Sequence, residues 1–159
     1  ECLPTVIEGM YFVMRKNPNG TIIYPQWEDI NNINGGYWSF KVENLDAQNI
    51  WFVLFKLLIG ESLLSDEQNS YLINGISISP KRTFCIVKIW NCKSNIQDIS
   101  LLSDVLSKYL DITNVKYSSH NTNIERDAEK TLKFKERCDN PDEFKRKKKR
   151  HLKYNINSF

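Results

Sequence analysis

Apolar and polar residues alternate along several short segments of the chain, which is the spacing of a β-strand with one packed face and one wet face. The alternation is clearest in residues 37–42, where apolar Trp38, Phe40 and Val42 interleave with more polar neighbours. Segments 37–42, 75–81, 84–90 and 131–135 predict strands in this way. Residues 10–15 and 21–24 predict two strands on either side of the turn signal Asn17-Pro18-Asn19-Gly20, and 115–120 predicts a further strand. An antiparallel sheet packed on one side produces such a pattern.

Two other segments have the spacing of helices. Residues 44–64 predict a helix that Asn44 or Asp46 can cap and that Gly60 can end or interrupt. Residues 96–110 predict a second helix with one apolar stripe, whereas the polar residues 121–130 predict a mobile loop. The chain therefore belongs to the α+β class, with helices packed on one face of an antiparallel sheet.

The first helix has an unusual distribution of apolar residues, because residues 50–59 are apolar on nearly every side. A helix on a single sheet buries only one stripe, so its other side must meet something else. Another part of the protein could cover that side. Alternatively, the side is a docking surface with Phe52, Val53 and Lys56 at its centre.

Composition adds the domain boundaries and excludes some classes of protein. The 159 residues predict one domain over 1–135 and a basic tail over 136–159, where Asn140-Pro141-Asp142-Glu143 starts a helix and residues 145–150 are all Lys or Arg. The net charge is only +3, and no apolar segment is long enough to span a membrane. Four cysteines without C-x-x-C spacing argue against zinc and favour a reduced intracellular protein.

The pair Trp27-Glu28 carries the most suggestive chemistry. Tryptophan offers a flat π-face on which a base can stack, and the face attracts a base that carries positive charge. A carboxylate can accept both N–H donors on the Watson–Crick edge of guanine. The pair thus indicates a guanine reader, although a loop tryptophan packed against the edge of the core is the alternative.

Five groups of residues stand out in order along the chain. They are Pro25-Gln26-Trp27-Glu28-Asp29, Gly35-Gly36-Tyr37-Trp38, Trp51 with Leu58-Ile59-Gly60-Glu61-Ser62, Ile89-Trp90, and Tyr117-Ser118-Ser119-His120. In this order and at this spacing the groups resemble the eukaryotic translation initiation factor 4E family, whose members bind the messenger RNA cap. The resemblance runs from about Tyr11 to Lys135.

The resemblance implies a curved antiparallel sheet with helices on its convex face and a slot for the 7-methylguanosine cap on its concave face. It implies that Trp27 stacks on the base, that Glu28 accepts the guanine N–H pair, and that Trp90 touches the N7-methyl group. Tyr37 and His120 would be neighbours on the concave face. The expected ligand is the cap or 7-methyl-GTP, with no cofactor and no metal.

The resemblance also implies cations for the phosphate bridge of the cap. Lys81 preserves a charge at one matched position, whereas Ile86 does not at another, and Lys88 could replace the lost charge. The further candidates are Arg82, Arg126 and Lys130. The family's second stacking residue and its first strand and helix would precede Glu1, so we expect additional N-terminal sequence.

Partners follow from the resemblance as well. A scaffold initiation factor of the 4G type, or an inhibitory mimic, would dock on the helix surface formed by Trp51, Phe52, Val53, Lys56 and Gly60. Val53 and Lys56 depart from the family pattern, which leaves a cap-binding decoy or repressor that does not recruit the scaffold as an alternative.

An enzyme is not expected, because the sequence has no phosphate-cradling glycine loop and no Ser/Cys-His arrangement. We expect a cytoplasmic protein that binds capped messenger RNA and no membrane. The basic tail could contact RNA phosphates, act as a nuclear-import signal, or be a solvated helix.

Overall fold

Five antiparallel strands form one sheet in the order β1-β3-β4-β2-β5 in the computed structural model, which describes residues 5–139. The elements are β1 (Tyr11–Met14), β2 (Gly36–Glu43), α1 (Ala47–Ile59), β3 (Ile73–Pro80), β4 (Phe84–Asn91), β5 (Lys116–Ser119) and α2 (His120–Asp139). The described residues fall into two units that divide between Asn123 and Ile124. The predicted antiparallel α+β fold is confirmed.

The sheet has a buried back face and a more polar front face, as the alternation predicted. Trp38, Phe40 and Val42 of β2 are buried in the core on the back face, whereas Tyr37 and Ser39 on the front face are half-buried. A buried apolar side chain contributes about 1.5–3 kcal/mol. Because a shift of one residue would turn these side chains to the front, the core determines the register of the strands.

Helix α1 packs against the back of the sheet. Its buried side is formed by Ala47, Ile50, Trp51, Leu54 and Leu58. The helix is shorter than predicted; Asp46 occupies the N-cap position without a side-chain capping bond, and Gly60 follows the last turn as predicted. An ion pair between Arg15 and Glu61 connects this end of the helix to the segment after β1.

The predicted helix over residues 96–110 is wrong. The region contains two short 3-10 turns, Ile99–Leu101 and Asp104–Lys108, and a third, Ile112–Asn114, follows it. The side chain of Asp98 accepts a bond from the N–H of Ser100, and Asp111 does the same for Thr113, so local side-chain bonds replace those of a continuous helix. Leu102, Leu106 and Leu110 are nevertheless buried in the core.

The loop predicted over 121–130 and the strand predicted over 131–135 are also wrong, because both lie in α2. Leu132 and Phe134, whose alternation suggested a strand, are both exposed. Strong helix formers and the pairs Lys130–Asp127 and Lys133–Glu129 support a polar helix instead. The expected start of a tail helix at Asn140 lies outside the described residues.

The predicted return strand over 21–24 is reduced to a single bridge between Lys16 and Ile22. Among the cysteines of the described range, Cys85, Cys92 and Cys138 are free thiols. Within residues 5–139, the helices are too short or too polar to cross a bilayer.

Candidate nucleotide-binding site

The loop that carries Trp27 and Glu28 is held in shape by the buried side chain of Asn32. Its Nδ2 donates to the main-chain oxygens of Tyr24 at 2.7 Å and Gln26 at 2.8 Å. These bonds close the loop on both sides of Pro25, immediately before Trp27. Because Asn32 is fully buried, water does not compete for them.

The two acidic residues of the loop have different surroundings. The carboxylate of Asp29 accepts from the main-chain N–H groups of Tyr24 and Asn31 and from the side chain of Asn31. Burial raises the pKa of Asp29, but these bonds outweigh it and lower the pKa below its ordinary value. Asp29 therefore holds the loop together, while the neighbouring Glu28 is exposed. Trp27 is half-buried.

The loop is attached to one end of the sheet. Asn74 of β3 donates to the main-chain oxygen of Asn31 and to the side chain of Asn32, both at 2.8 Å. The next residue, Gly75, pairs with Trp90 of β4. At the other end of the loop, Gly35 lies so close to the main chain of Asn91 that a Cβ atom would overlap it. The loop is thus anchored beside the strand ends that carry Trp90.

Trp90 lies in an aromatic cluster on the front face with Tyr37 and His120. The rings of Trp90 and His120 stack with centroids 5.0 Å apart, and Tyr37 is tilted against Trp90 at 5.9 Å. The indole N–H of Trp90 donates to the hydroxyl of Ser77 at 2.9 Å. Only 3% of Trp90 is exposed, so its indole ring is not an accessible surface of the cluster.

His120 is completely buried beneath this surface. Neither ring nitrogen has a hydrogen-bond partner within the described residues. Burial, and then the positive charge of Lys88, lower the pKa of His120, whereas the main-chain carbonyl of Gly36 raises it. The net result is a pKa of about 4. His120 is therefore a neutral imidazole near pH 7 and contributes a flat surface to the cluster rather than a charge.

Lys88 is the cation that the fold brings to this cluster. Its Nζ lies 3.9 Å from the centroid of the Tyr37 ring and 5.9 Å from that of Trp90. Both distances are within the range of a cation–π interaction. The predicted residues Trp90, Tyr37, His120 and Lys88 are therefore neighbours in space, although they come from three separate segments of the chain.

The other predicted cations are Lys81 and Arg82 in the first unit and Arg126 and Lys130 in the second. Lys81 and Arg82 are exposed in the turn between β3 and β4, which is closed by a bond from the N–H of Lys81 to the oxygen of Phe84. Since that turn is at the opposite end of β4 from Trp90, the two regions are separated by roughly 20 Å of strand. Arg126 and Lys130 are exposed on the part of α2 that belongs to the second unit, and Lys130 pairs with Asp127.

The predicted docking residues lie on α1 and at its end. Trp51 is largely buried, Phe52 and Val53 are half-buried, and Lys56 and Gly60 are exposed. Trp51 and Phe52, with Phe55, line one side of a groove of about 240 Å³, and β1 lines the other. The outer side of α1 therefore remains uncovered by the described residues.

Sequence reasoning missed the residues that shape the loop. Asn74 has a detectable signal, because asparagine is unfavourable inside a strand and here precedes a glycine. Asn32 has none, since it is one of several polar residues in a polar loop. Lys116 was also missed, although its alternation with Tyr117 could have placed it on the front face.

Comparison with known proteins gives a consistent result. The family model "Eukaryotic initiation factor 4E" matches residues 11–135. A translation initiation factor 4E homolog of Acanthamoeba polyphaga mimivirus is 35% identical over 69 residues, which are 43% of this chain and 24% of the relative. Initiation factor 4E of Candida glabrata is 29% identical over 131 residues, covering 79% of this chain and 59% of the relative.

Solved structures show the same fold. The structure of C. elegans initiation factor 4E-3 with the 4E-binding protein Mextli and a cap analog has a TM-score of 0.58 and 21% identity, covering 74% of this chain and 66% of that one. Ascaris suum 4E-3 with an m7G cap has a TM-score of 0.53 and 23% identity, covering 70% and 62%. This chain spans between about a quarter and three fifths of the length of the curated relatives named above. With its family match over residues 11–135 and its antiparallel sheet, the chain belongs to the eukaryotic initiation factor 4E family.

Proposed function

We propose that this chain binds the 7-methylguanosine cap of messenger RNA, without catalysing a reaction, and thereby promotes translation initiation in the cytoplasm. Membership of the 4E family supports the proposal, as do the cap-bound structures of the C. elegans and Ascaris suum relatives. The observation that carries it is the loop in which Asn32 and Asp29 are used for structure while Trp27 and Glu28 are left accessible.

The division of work within the loop matters for affinity. A base stacked on an aromatic side chain gains about 1–3 kcal/mol. Methylation at N7 makes guanine cationic, so stacking on Trp27 would gain an additional charge term that plain guanine lacks. The carboxylate of Glu28 would accept the two N–H groups of the guanine edge. Because the loop is held in place before binding, little ordering entropy opposes these contacts.

Trp90 has a less direct role in this proposal than the resemblance implies. Its ring is covered by His120 and tilted against Tyr37, so contact with the N7-methyl group requires one of these rings to move. The Lys88 ammonium on Tyr37 supplies a positive charge beside Trp90. Lys81, Arg82, Arg126 and Lys130 remain candidates for phosphates that extend away from the base.

Calorimetric titration with 7-methyl-GTP and with GTP tests the proposal. We expect a clear preference for the methylated ligand in the wild type. Glu28→Gln should weaken binding about tenfold or more, since hydrogen bonds to charged groups are worth about 1.5–3 kcal/mol. Trp27→Leu should reduce the preference for the methyl group. Glu67→Gln, an exposed carboxylate on a 3-10 turn, is the matched control.

Three outcomes would argue against cap binding by this loop. Equal affinity for GTP and 7-methyl-GTP would remove the role of the cationic base. An unchanged affinity in Glu28→Gln would remove the carboxylate from guanine recognition. Loss of the methyl group or release of a nucleotide during incubation would indicate an enzyme.

We also propose that the outer side of α1 docks an apolar helix of a scaffold initiation factor or of an inhibitory mimic. The 4E-binding protein Mextli in the C. elegans complex supports a partner of this class. The groove between α1 and β1 offers Phe52 and Phe55 to such a helix.

A peptide pull-down distinguishes an initiation factor from a decoy. A scaffold-derived helical peptide should bind the wild type and lose affinity for Phe52→Ala, whereas Lys108→Ala, an exposed change in a 3-10 turn, should have no effect. A protein that binds 7-methyl-GTP but no scaffold peptide would instead be a decoy or repressor.

A further inference from the structure

The register of the sheet places two lysines on the front face on either side of Ser39. Ser39 of β2 pairs directly with Lys88 of β4 and with Lys116 of β5. Residues that pair directly across antiparallel strands point to the same side of the sheet. Because neighbouring strands are about 4.7–4.9 Å apart, the two lysine backbones are separated by roughly 10 Å, and both side chains extend from the same row.

The row formed by Lys88, Ser39 and Lys116 is positively charged. Glu43 is the only acidic residue in the five described strands, and it pairs with Lys41 at 3.4 Å. Lys88 is half-buried, its ammonium lies over the rings of Tyr37 and Trp90, and it has no ion-pair partner among the described residues. A half-buried cation without a carboxylate can gain strongly from an anionic ligand.

Tyr37 holds Lys88 in this place. Its ring lies under the ammonium and contacts Trp90 and His120 on its other sides. The side chain of Asn123 donates to its hydroxyl at 3.3 Å. A lysine that is already positioned loses less side-chain entropy on binding a ligand than a free surface lysine does.

We propose that Lys88 and Lys116 form a phosphate-binding pair across Ser39, with Tyr37 as the positioning residue for Lys88. The pair rests on the proposed function and deepens it, because it would take the phosphate bridge of the cap at positions that include neither Lys81 nor Arg82. The ligand chemistry is a chain of phosphates, which a nucleotide cap or the backbone of RNA could supply.

Titrations of the full chain with four ligands test the pair: 7-methyl-GTP, 7-methylguanosine, inorganic tripolyphosphate and an uncapped oligonucleotide. Lys88→Met and Lys116→Met should each lower the affinity for 7-methyl-GTP and for tripolyphosphate about tenfold and leave the affinity for 7-methylguanosine unchanged. Lys41→Met is the matched control, because Lys41 also lies over an aromatic ring, 5.0 Å from the centroid of Phe84, but is already paired with Glu43.

Variants of Tyr37 test the positioning role. Tyr37→Leu should weaken tripolyphosphate binding nearly as much as Lys88→Met does, whereas Tyr37→Phe, which keeps the ring, should restore it. In the double variant Tyr37→Leu/Lys88→Met, the two losses should be less than additive, since both act through the same ammonium. A merely structural role of Tyr37 would instead give additive losses.

The results separate the pair from cap binding itself. Loss of tripolyphosphate binding in both lysine variants, together with equal wild-type affinities for GTP and 7-methyl-GTP, would support the pair and refute the proposed function. Losses confined to the uncapped oligonucleotide would support the pair with RNA backbone as the ligand. Wild-type affinities for 7-methyl-GTP, tripolyphosphate and the oligonucleotide in both Lys88→Met and Lys116→Met would overturn it, as would a wild type that binds none of these three ligands.

Discussion

Replacement of Asn32 by alanine should destabilise the loop that presents Trp27 and Glu28. The buried amide makes two bonds to main-chain oxygens and accepts a third from Asn74. A typical hydrogen bond contributes about 0.5–1.5 kcal/mol, so Asn32→Ala should lower the free energy of unfolding by about 1.5–4.5 kcal/mol. A loss of about 3 kcal/mol corresponds to a Tm lower by about 6–12 °C in a domain of this size.

Urea denaturation followed by tryptophan fluorescence measures the loss, and titration with 7-methyl-GTP measures its effect on binding. The urea concentration at the midpoint of unfolding should fall, with little change in how steeply the free energy of unfolding depends on urea concentration. Affinity for 7-methyl-GTP should fall about tenfold or more, because binding must then order the loop. Asn34→Ala is the control, since Asn34 is an exposed asparagine of the same loop.

Asn32→Asp separates the donors of Asn32 from its acceptor. The variant keeps the oxygen that accepts from Asn74 but removes both bonds to the oxygens of Tyr24 and Gln26 and buries a charge, so it should be at least as unstable as Asn32→Ala. If Asn32→Ala matched Asn34→Ala in both stability and affinity, the idea that this side chain preorganises the loop would be refuted.

Two further perturbations test the surroundings of the site. Because the pKa of His120 is lowered to about 4 in the folded chain, the unfolded chain binds a proton first as pH falls, and stability should decrease between about pH 6.5 and pH 4. Denaturation at pH 5.0, 6.0 and 7.0 should show that the free energy of unfolding changes less with pH in His120→Gln than in the wild type. An equal pH dependence in the two proteins would contradict the lowered pKa of His120. Gly35→Ala should force β2 and Asn91 apart and lower Tm by several degrees. Gly9→Ala is the control and should leave Tm unchanged, because its added Cβ would meet its nearest neighbour at 3.7 Å. Equal Tm values for the two variants would show that the strands adjust without cost.

Some of this molecule is determined by its sequence alone. The period of two in β2 and β4 requires only that apolar side chains avoid water, which is a local property of each strand. It predicted which residues of these strands face the core and which face the front. The order of short motifs from Pro25 to His120 likewise predicted the family, because residue types and spacing are visible without coordinates.

Other features depended on contacts between distant segments. Residues 96–110 have the period of a helix, yet Asp98 within them and Asp111 directly after them bond to nearby main-chain groups, and the segment forms 3-10 turns. Residues 131–135 have the period of a strand, but no neighbouring strand pairs with them in the described structure, and they extend a helix. In both cases, hydrogen bonds that the pattern of apolar residues does not predict determined the secondary structure.

The arrangement of the front face was likewise decided by tertiary structure. The sequence places Trp90 and Lys88 on one side of a strand, but it does not show that His120 covers Trp90 or that Lys88 lies on Tyr37. Those contacts require β2 to pair with β4 on one edge and β5 on the other, in one register. The same pairing brings Lys116 level with Lys88, because a register between strands is a property of the packed core and not of any single strand.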